Sequence, residues 1–363
     1  MRSVYLQGRG LVSSLGADLS QAVDALARAA PTPKRFALPG GTDWPYFGIT
    51  HAEADWRTRA RQLIVSAIEE AGLTGCRDAP LFVASSSLEV GATESGVPCL
   101  DDCFSFAEQV AGWLRWTGPT YLVSTACISS LQAVLTAAKL IGSEVVDEAV
   151  VLGVELSNRF SISGFAAMQL LTPTVPKPLG AGRDGIALGE AVAVLHLSSA
   201  PARWRICGGN SCIDGRDPTG TLPTAVAHMC KQALVASGLE PSDIDLIKLQ
   251  AAGGQVSDVN ELTGLAEVFD SLPALVTLKA ALGHTLGASG AAEIALLTAA
   301  LEKNVWPYFD YPLDPTNRAG LIVAKPTLVR YLLAEILGFG GGYAAVILED
   351  TAASSSPVQK RDD

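Results

Sequence analysis

A chain of 363 residues, 48% of them hydrophobic and 17% charged, can bury a large core and is long enough for two domains or two fused halves. Its formal net charge of −11 argues against nucleic acid or an anionic membrane as a partner, because both would be repelled. No apolar stretch is long enough to cross a membrane, and the first residues resemble a strand rather than a signal peptide, so we expect a cytoplasmic protein.

The first half of the chain predicts alternating strands and helices, with Gly or Pro between them. The strands are short apolar runs, and the helices are longer segments with apolar residues at helical spacing. In chain order we predict a strand at 4–8, helices at 18–30 and 59–71, a strand at 81–84, a helix at 104–114, a strand at 120–124, a helix at 127–141, and strands at 149–155 and 190–197.

The same alternation then begins again. We predict a strand at 204–210, a helix at 224–237, a strand at 245–248, a helix at 259–269, a strand at 275–278, a helix at 290–303, and strands at 331–337 and 343–349. This repetition predicts two similar halves, 1–200 and 201–350. The Ser-rich, charged tail 351–363 is expected to be disordered.

The cysteines do not indicate a disulfide framework or a metal centre. Their number is odd, no pair has CxxC spacing, and the chain has only four histidines, so neither a zinc site nor another metal site is expected. Most are expected to be buried small apolar residues. The seven are Cys76, Cys99, Cys103, Cys127, Cys207, Cys212 and Cys230.

One cysteine lies where its thiol could react. The segment 123–130, VSTACISS, places Cys127 at the turn from a strand into a helix. A helix N-terminus lowers the pKa of a thiol, because its unpaired N–H groups and dipole stabilise the thiolate. A backbone N–H at this turn can also donate to an oxyanion. A small residue at a tight turn is the alternative interpretation.

Two further segments could complete a site around Cys127. In 278–293, LKAALGHTLGASGAAE, His284 lies in a Gly-rich turn before an Ala-rich helix, and a cysteine with a histidine partner can transfer acyl groups covalently. In 337–343, LGFGGGY, the glycines allow backbone N–H groups to approach a ligand closely, although a hairpin turn would also explain them.

Together, five segments in this order resemble the β-ketoacyl synthase family. They are the stretch 8–16, which looks like the family's opening turn, the segment around Cys127, the Arg-Asp-Gly and Gly-Glu-Ala pair within 183–191, the segment 279–285, and the loop 338–341. Each is weak alone, but the five in register are specific and span nearly the whole chain. The resemblance implies the five-layered α-β-α-β-α thiolase-like fold, built from two pseudo-repeated halves.

The resemblance also implies a role for each site residue. Cys127 would take an acyl group from the thioester of an acyl carrier protein. The backbone N–H groups of Cys127 and Phe339 would form an oxyanion hole, and Phe339 would gate the acyl pocket. His284 would hydrogen-bond the thioester carbonyl or stabilise the carbanion, and Lys279 would support it. No organic cofactor or metal is expected, since the acyl group arrives covalently bound. Thiolases, which place a second cysteine in the last loop, are excluded by 337–343.

The sequence departs from the family at Gly180, where an Asp is usual, at Tyr343, where a polar residue is usual, and most consequentially at one further position. Decarboxylative members carry a His-Gly-Thr motif soon after a short strand, and here Gln250 stands in place of that histidine. Asp258 and Glu261 fall where the family has acidic support residues, so the alignment needs no gap. Glutamine can donate hydrogen bonds, but it cannot titrate near neutral pH.

Three interpretations follow from this departure. The favoured one is a chain-length-factor-like or non-elongating subunit that forms a heterodimer with an active ketosynthase, of the kind found in bacterial aryl-polyene and other polyketide systems. The second is a condensing enzyme or acyltransferase in which Gln250 replaces histidine. The third is a structural or acyl-binding protein in which Cys127 is a relic.

The acidic net charge and the presence of Cys127 help to choose among these three interpretations. Carrier proteins are acidic, so an acidic chain is expected to dock them poorly, which favours the first interpretation. The arginines Arg57, Arg59 and Arg61 form the only notable basic cluster, and we attribute them to a solvated helix face. The presence of Cys127 argues against the third interpretation and also weakens the first, because many chain-length factors have lost that cysteine.

Overall fold

The computed structural model describes residues 2–28, 31–51, 55–74, 78–100, 102–317 and 324–353. Its strands are β1 (Val4–Ser13), β2 (Lys34–Ala37), β3 (Asp43–Phe47), β4 (Leu81–Ala84), β5 (Thr120–Val123), β6 (Glu148–Glu155), β7 (Leu188–Gly189), β8 (Ala191–Ser198), β9 (Trp204–Ile213), β10 (Leu246–Lys248), β11 (Ala274–Val276), β12 (Tyr331–Gly338) and β13 (Gly342–Asp350). Its α-helices are α1 (Leu19–Leu26), α2 (Trp56–Glu70), α3 (Val90–Glu94), α4 (Phe104–Leu114), α5 (Ser129–Gly142), α6 (Arg159–Ala167), α7 (Pro223–Ser237), α8 (Ser257–Leu265), α9 (Lys279–Leu282) and α10 (Ser289–Glu302).

The large sheet consists of two five-stranded units with the same strand order. The first unit runs β5-β4-β6-β8-β1, and the second runs β11-β10-β12-β13-β9. The two units join where the start of β1 pairs antiparallel with the start of β9, from Val4 opposite Ile206 to Leu6 opposite Trp204. Each strand of the first unit therefore has a counterpart in the second, as expected for two pseudo-repeated halves.

The helices complete a five-layered arrangement. α5 and α10 pack together between the two units, α2 and α4 cover the outside of the first, and α7 and α8 cover the outside of the second. The central pair approaches closely, because a Cβ at Gly290 would lie 2.8 Å from the Leu131 nitrogen. The α-β-α-β-α fold class expected from the resemblance is confirmed.

The Gly-rich stretch 8–16 is a strand as far as Ser13, and the expected turn is confined to its end, where Ser13 and Gly16 exchange backbone hydrogen bonds. β1 continues past Gly8 and Gly10 to Ser13. A Cβ at Gly8 would lie 2.2 Å from the Ala71 carbonyl oxygen, and one at Gly10 would lie 2.0 Å from the Ala67 carbonyl oxygen. The glycines therefore allow the backbone of α2 to lie directly on β1.

The arginine cluster on α2 is not a simple solvated face. Arg57 forms an ion pair with Glu89 at 2.9 Å, and Arg59 forms one with the buried Glu190 at 2.8 Å. The Arg59 side chain is only 16% exposed. Our interpretation was wrong for Arg57 and Arg59 and agrees with the structure only for Arg61, which is exposed.

Three predictions fall partly or wholly on residues that the structure does not describe, and one of them is the helix 18–30, whose residues 29–30 lie outside the described ranges. Of the tail 351–363, residues 354–363 lie outside the described ranges, and so does Cys76. Within the described part of the chain, no helix is both long enough and apolar enough to cross a membrane.

Candidate functional site

Cys127 lies in a short turn between β5 and α5. Ala126 adopts a left-handed backbone conformation with φ 51°, which turns the chain sharply before the cysteine. The Ser129 hydroxyl fixes this turn, because it accepts from the Thr125 N–H at 2.8 Å and donates to the Ala126 carbonyl at 2.6 Å. α5 begins two residues after Cys127 rather than at Cys127 as predicted. The cysteine is buried, with 5% of its surface exposed.

His284 reaches Cys127 from the other half of the chain. Its Nε2 lies 3.1 Å from the Cys127 sulfur. Backbone hydrogen bonds hold its turn on both sides: the His284 N–H donates to the Ala187 carbonyl at 2.8 Å, and the Gly189 N–H donates to the His284 carbonyl at 3.0 Å. The turn also requires Gly283, whose φ is +69°.

Lys279 fixes the other side of the imidazole. Its Nζ lies 3.1 Å from His284 Nδ1 and 3.1 Å from the Ser289 hydroxyl, and it forms an ion pair with Glu293. Burial, reinforced by the nearby Lys279 and Lys248 ammonium groups, lowers the pKa of His284 well below its ordinary value, so the ring is neutral at neutral pH. An ammonium group has no lone pair, so Nδ1 accepts from Lys279 and the ring proton lies on Nε2, facing the sulfur.

The pKa of Cys127 is raised, whereas its position at the start of a helix predicted a lowered pKa. Burial raises the pKa of the thiol to about 11, while the Phe339 N–H and the Lys279 ammonium lower it and the Glu155 carboxylate raises it. Loss of hydration outweighs the hydrogen bonds, because the thiolate would be removed from water. The expectation of a lowered pKa was therefore wrong for the resting site.

The Gly-rich loop between β12 and β13 brings a backbone donor to the same sulfur. The N–H groups of Phe339 and of Cys127 itself both act on the thiol. The loop lies so close that a Cβ at Gly338 would be 3.3 Å from the Cys127 nitrogen. The Phe339 ring stacks on Phe165, with centroids 5.1 Å apart and planes at 12°. This geometry provides two donors where an oxyanion would develop and an aromatic pair beside them.

Gln250 lines the same cavity of about 420 Å³ as Cys127, His284 and Phe339. Its backbone N–H donates to Glu261 Oε1 at 2.5 Å, while its side-chain Oε1 is buried and has no hydrogen-bond partner. An unpaired buried acceptor is costly, so it favours a ligand with an N–H or O–H group at this position.

The carboxylic acids of the cavity lining are its only charged side chains among the described residues. Asp258 accepts backbone N–H groups of Leu179 at 2.9 Å and Gly253 at 3.1 Å, and burial raises its pKa to about 6. Asp184, Asp217 and Glu261 also line the cavity, whereas none of its described lining residues is a lysine or arginine.

The structure thus brings all five predicted site residues together: Phe339, Cys127, His284 and Lys279 are linked by direct contacts, and Gln250 lies on the cavity wall. Sequence reasoning did not identify Lys248, Ser289 and Glu293 as members of this network. Two signals were available: Lys248 is a charged residue in an otherwise apolar strand, and Glu293 is a carboxylate in an Ala-rich helix. Both are 1% exposed.

Comparison with known families gives two matches in series. Residues 89–202 match the family model described as "Beta-ketoacyl synthase, N-terminal domain", and residues 206–309 match "Beta-ketoacyl synthase, C-terminal domain". Among curated proteins, the 3-oxoacyl-[acyl-carrier-protein] synthase 2 of Mycobacterium leprae is 32% identical over 248 residues. The matched region is 61% of this chain and 58% of that protein.

Solved structures share the fold over almost the entire chain. A chain of the ketosynthase in complex with its chain length factor from Xenorhabdus doucetiae superimposes with a TM-score of 0.84 at 24% identity, covering 96% of this chain and 98% of that one. A chain of the ishigamide ketosynthase/chain length factor gives a TM-score of 0.80 at 23% identity, covering 96% and 99%. At these identities the likeness establishes the fold alone.

Proposed function

The chain belongs to the β-ketoacyl synthase family, and from this premise we propose that it is a non-elongating, chain-length-factor-like subunit that pairs with an active ketosynthase in fatty-acid or polyketide synthesis. In this proposal Cys127 can still accept an acyl group from a carrier-protein thioester. The subunit does not carry out the decarboxylative extension of that group.

The observation that carries this proposal is that Gln250 lines the same cavity as the Cys127–His284 pair. Acyl transfer to sulfur requires a nucleophile, the oxyanion donors and one polarising group, which Cys127, Phe339 and His284 can supply. Loss of carbon dioxide from a malonyl group, followed by stabilisation of the enolate, requires two well-placed donors, and the second is an imidazole in the decarboxylative members of this family. Gln250 lines the cavity in place of that imidazole, and it cannot carry the charge of an imidazolium.

The charge of the cavity supports the same assignment. Four carboxyl groups and no described lysine or arginine line the cavity, so it offers no described cationic side chain to pair with a malonyl carboxylate. The net charge of −11 would repel an acidic carrier protein. A partner subunit that has its own docking surface for the carrier protein would avoid this repulsion.

Intact-protein mass spectrometry tests the proposal. The purified chain is incubated with acyl- and malonyl-carrier protein, alone and with a candidate ketosynthase, with Cys127→Ala as the control for loading. We expect acyl loading on Cys127 and no extension when the chain is alone. Unaided extension would instead identify a condensing enzyme, and absence of loading under both conditions would make the protein a structural partner.

Restoring the imidazole gives a second test. Gln250→His is expected to raise extension of a loaded acyl group by about 10²-fold, since one stabilising donor contributes about 10²–10³ in rate. Gln169→His, which places a histidine elsewhere on the same cavity wall, is the matched control and should have no effect. Equal extension by both variants would contradict the role assigned to position 250.

A condensing enzyme that uses Gln250 directly is the second candidate. It is favoured by one observation: the Gln250 Oε1 atom is buried without a hydrogen-bond partner in the wall of the cavity, so it is free to accept from a bound substrate.

A further inference from the structure

Two buried lysines share one buried carboxylate behind the candidate site. Lys248 Nζ donates to Glu293 Oε2 at 2.7 Å, and Lys279 Nζ donates to Glu293 Oε1. All three side chains are 1% exposed. Burying an ammonium group is costly unless it is paired, yet here two ammonium groups face a single carboxylate. The trio therefore carries a net positive charge.

This charge is connected to Cys127 by direct contacts. Glu293 orients Lys279, Lys279 lies against His284 Nδ1, and His284 Nε2 lies against the sulfur. The charged or titratable groups that act on Cys127 are His284, Lys279 and the Glu155 carboxylate. Lys248 is one contact further from Cys127 than Lys279 is, and it acts on Lys279 through Glu293.

Lys248 also ties together the elements that carry the site. It is the last residue of β10, which leads to Gln250, and it lies opposite Ala334 of the parallel strand β12. Its Nζ donates to the Glu335 backbone carbonyl, and β12 leads to the Phe339 loop. One side chain thus bridges the strand before Gln250, the strand before Phe339 and the helix of Glu293.

The carboxyl groups near Lys248 do not cancel its charge completely. The Glu335 and Glu261 side chains hydrogen-bond each other, and burial raises the pKa of both, so the pair retains a proton. Glu335 Oε2 also accepts from the Cys230 thiol at 3.6 Å.

We propose that Lys248 is a positioning residue: through Glu293 and Lys279 it holds the His284 Nε2–H on the Cys127 sulfur and keeps a net positive charge behind the thiol. The reaction of Cys127 with a small alkylating agent does not require a carrier protein or chain extension. This role of Lys248 is therefore separate from the proposed function and can be tested without it.

Two substitutions at position 248 test this role of the lysine, because one removes its positive charge and the other keeps it. Lys248→Met keeps an unbranched side chain and removes the charge, whereas Lys248→Arg keeps the charge. Alkylation of Cys127 by iodoacetamide is followed by peptide mass spectrometry across a pH series. We expect Lys248→Met to react about tenfold more slowly at a given pH, with its rate–pH curve moved to higher pH, and Lys248→Arg to remain near wild type.

A matched control is available on the helix that follows the cysteine. Lys139 lies in the last turn of α5 and is exposed, so Lys139→Met removes a positive charge without touching the network and should leave the rate unchanged. A Lys248→Met rate equal to wild type would overturn the proposal. Equal slowing by Lys248→Met and Lys248→Arg would also overturn it, because charge would then be irrelevant.

A measurement on the unaltered protein keeps the proposal testable if the variants do not fold. Nitrogen-15 NMR of labelled histidine, with the His284 signal assigned by its loss in His284→Asn, reports which ring nitrogen carries the proton. At neutral pH we expect a neutral ring with the proton on Nε2. A proton on Nδ1 would mean that the lysine network does not set the orientation of the donor, and the proposal would fail.

Discussion

At the scale of single residues, the Cys127 thiol is subject to opposing influences. Burial removes the thiolate from water and raises the pKa, while the Phe339 N–H and the Lys279 ammonium lower it. Burial is the larger influence in the resting site. The same burial strengthens the two backbone donors once an oxyanion forms, because hydrogen bonds to charge are stronger where water is excluded.

The pH dependence of alkylation follows from this balance. Only the thiolate reacts, and the pKa of Cys127 is about 11, so the rate in the wild-type chain should rise about tenfold for each step of one in pH below that value. Peptide mass spectrometry after iodoacetamide treatment would measure it, with the exposed Cys99 and Cys103 as references in the same sample. A rate that is already constant at neutral pH would mean that burial does not control this thiol.

At the scale of elements, the close contact between β1 and α2 depends on two glycines. Neither position has room for a Cβ, because helix carbonyl oxygens lie within 2.2 Å of where it would be. The strand and helix cannot separate locally, since β1 pairs with β8 along most of its length.

Gly10→Ala is expected to lower the free energy of unfolding by about 2–3 kcal/mol, because the new methyl group would overlap the Ala67 carbonyl. The matched control is Gly112→Ala in α4, where nothing lies within 4 Å and the residue is exposed. That change should raise the free energy of unfolding by up to ~1 kcal/mol, as alanine favours a helix. Urea denaturation followed by circular dichroism measures both, and similar stabilities would contradict the packing argument.

Apolar runs and apolar periodicity predicted the elements that form the layers, because the outer helix α2 buries one face while α10 and β13 are buried on nearly every side. They did not predict β2 and β3, which carry charged residues and Pro45 rather than an apolar alternation. They also missed α6, whose only buried residue is Ile162, so no apolar stripe marks the helix.

The site residues were predicted from local motifs, and the network behind them was not. Lys248 and Glu293 are 45 residues apart, and no spacing rule relates a strand end to a distant helix. The pKa of Cys127 was mispredicted for a similar reason, because burial by the second half cannot be read from the turn that contains the cysteine.

At the scale of the whole molecule, β5 is the last strand of the first unit and ends the ten-stranded sheet. Tyr121 on this strand is 44% exposed and stacks on Phe82 with ring centroids 5.0 Å apart. An edge strand with an exposed aromatic residue is a surface on which another chain can add. We therefore expect the proposed ketosynthase partner to add at this edge.

Tyr121→Glu should therefore weaken the complex with a ketosynthase by at least about tenfold, because a charge would be buried in an apolar contact. Val145→Glu, at an exposed position beyond the end of α5, is the control and should assemble normally. Native mass spectrometry of co-expressed chains would measure both. Normal assembly of Tyr121→Glu would place the partner elsewhere.

The shared strand order of the two units has a consequence for synthesis on the ribosome. The first unit has all five of its strands once Ser198 has been made, but its inner helix α5 is then covered on only one side. The partner of that helix, α10, begins at Ser289. A nascent chain must therefore carry a bare apolar helix face while about ninety further residues are added, which is the interval in which chaperones would be needed.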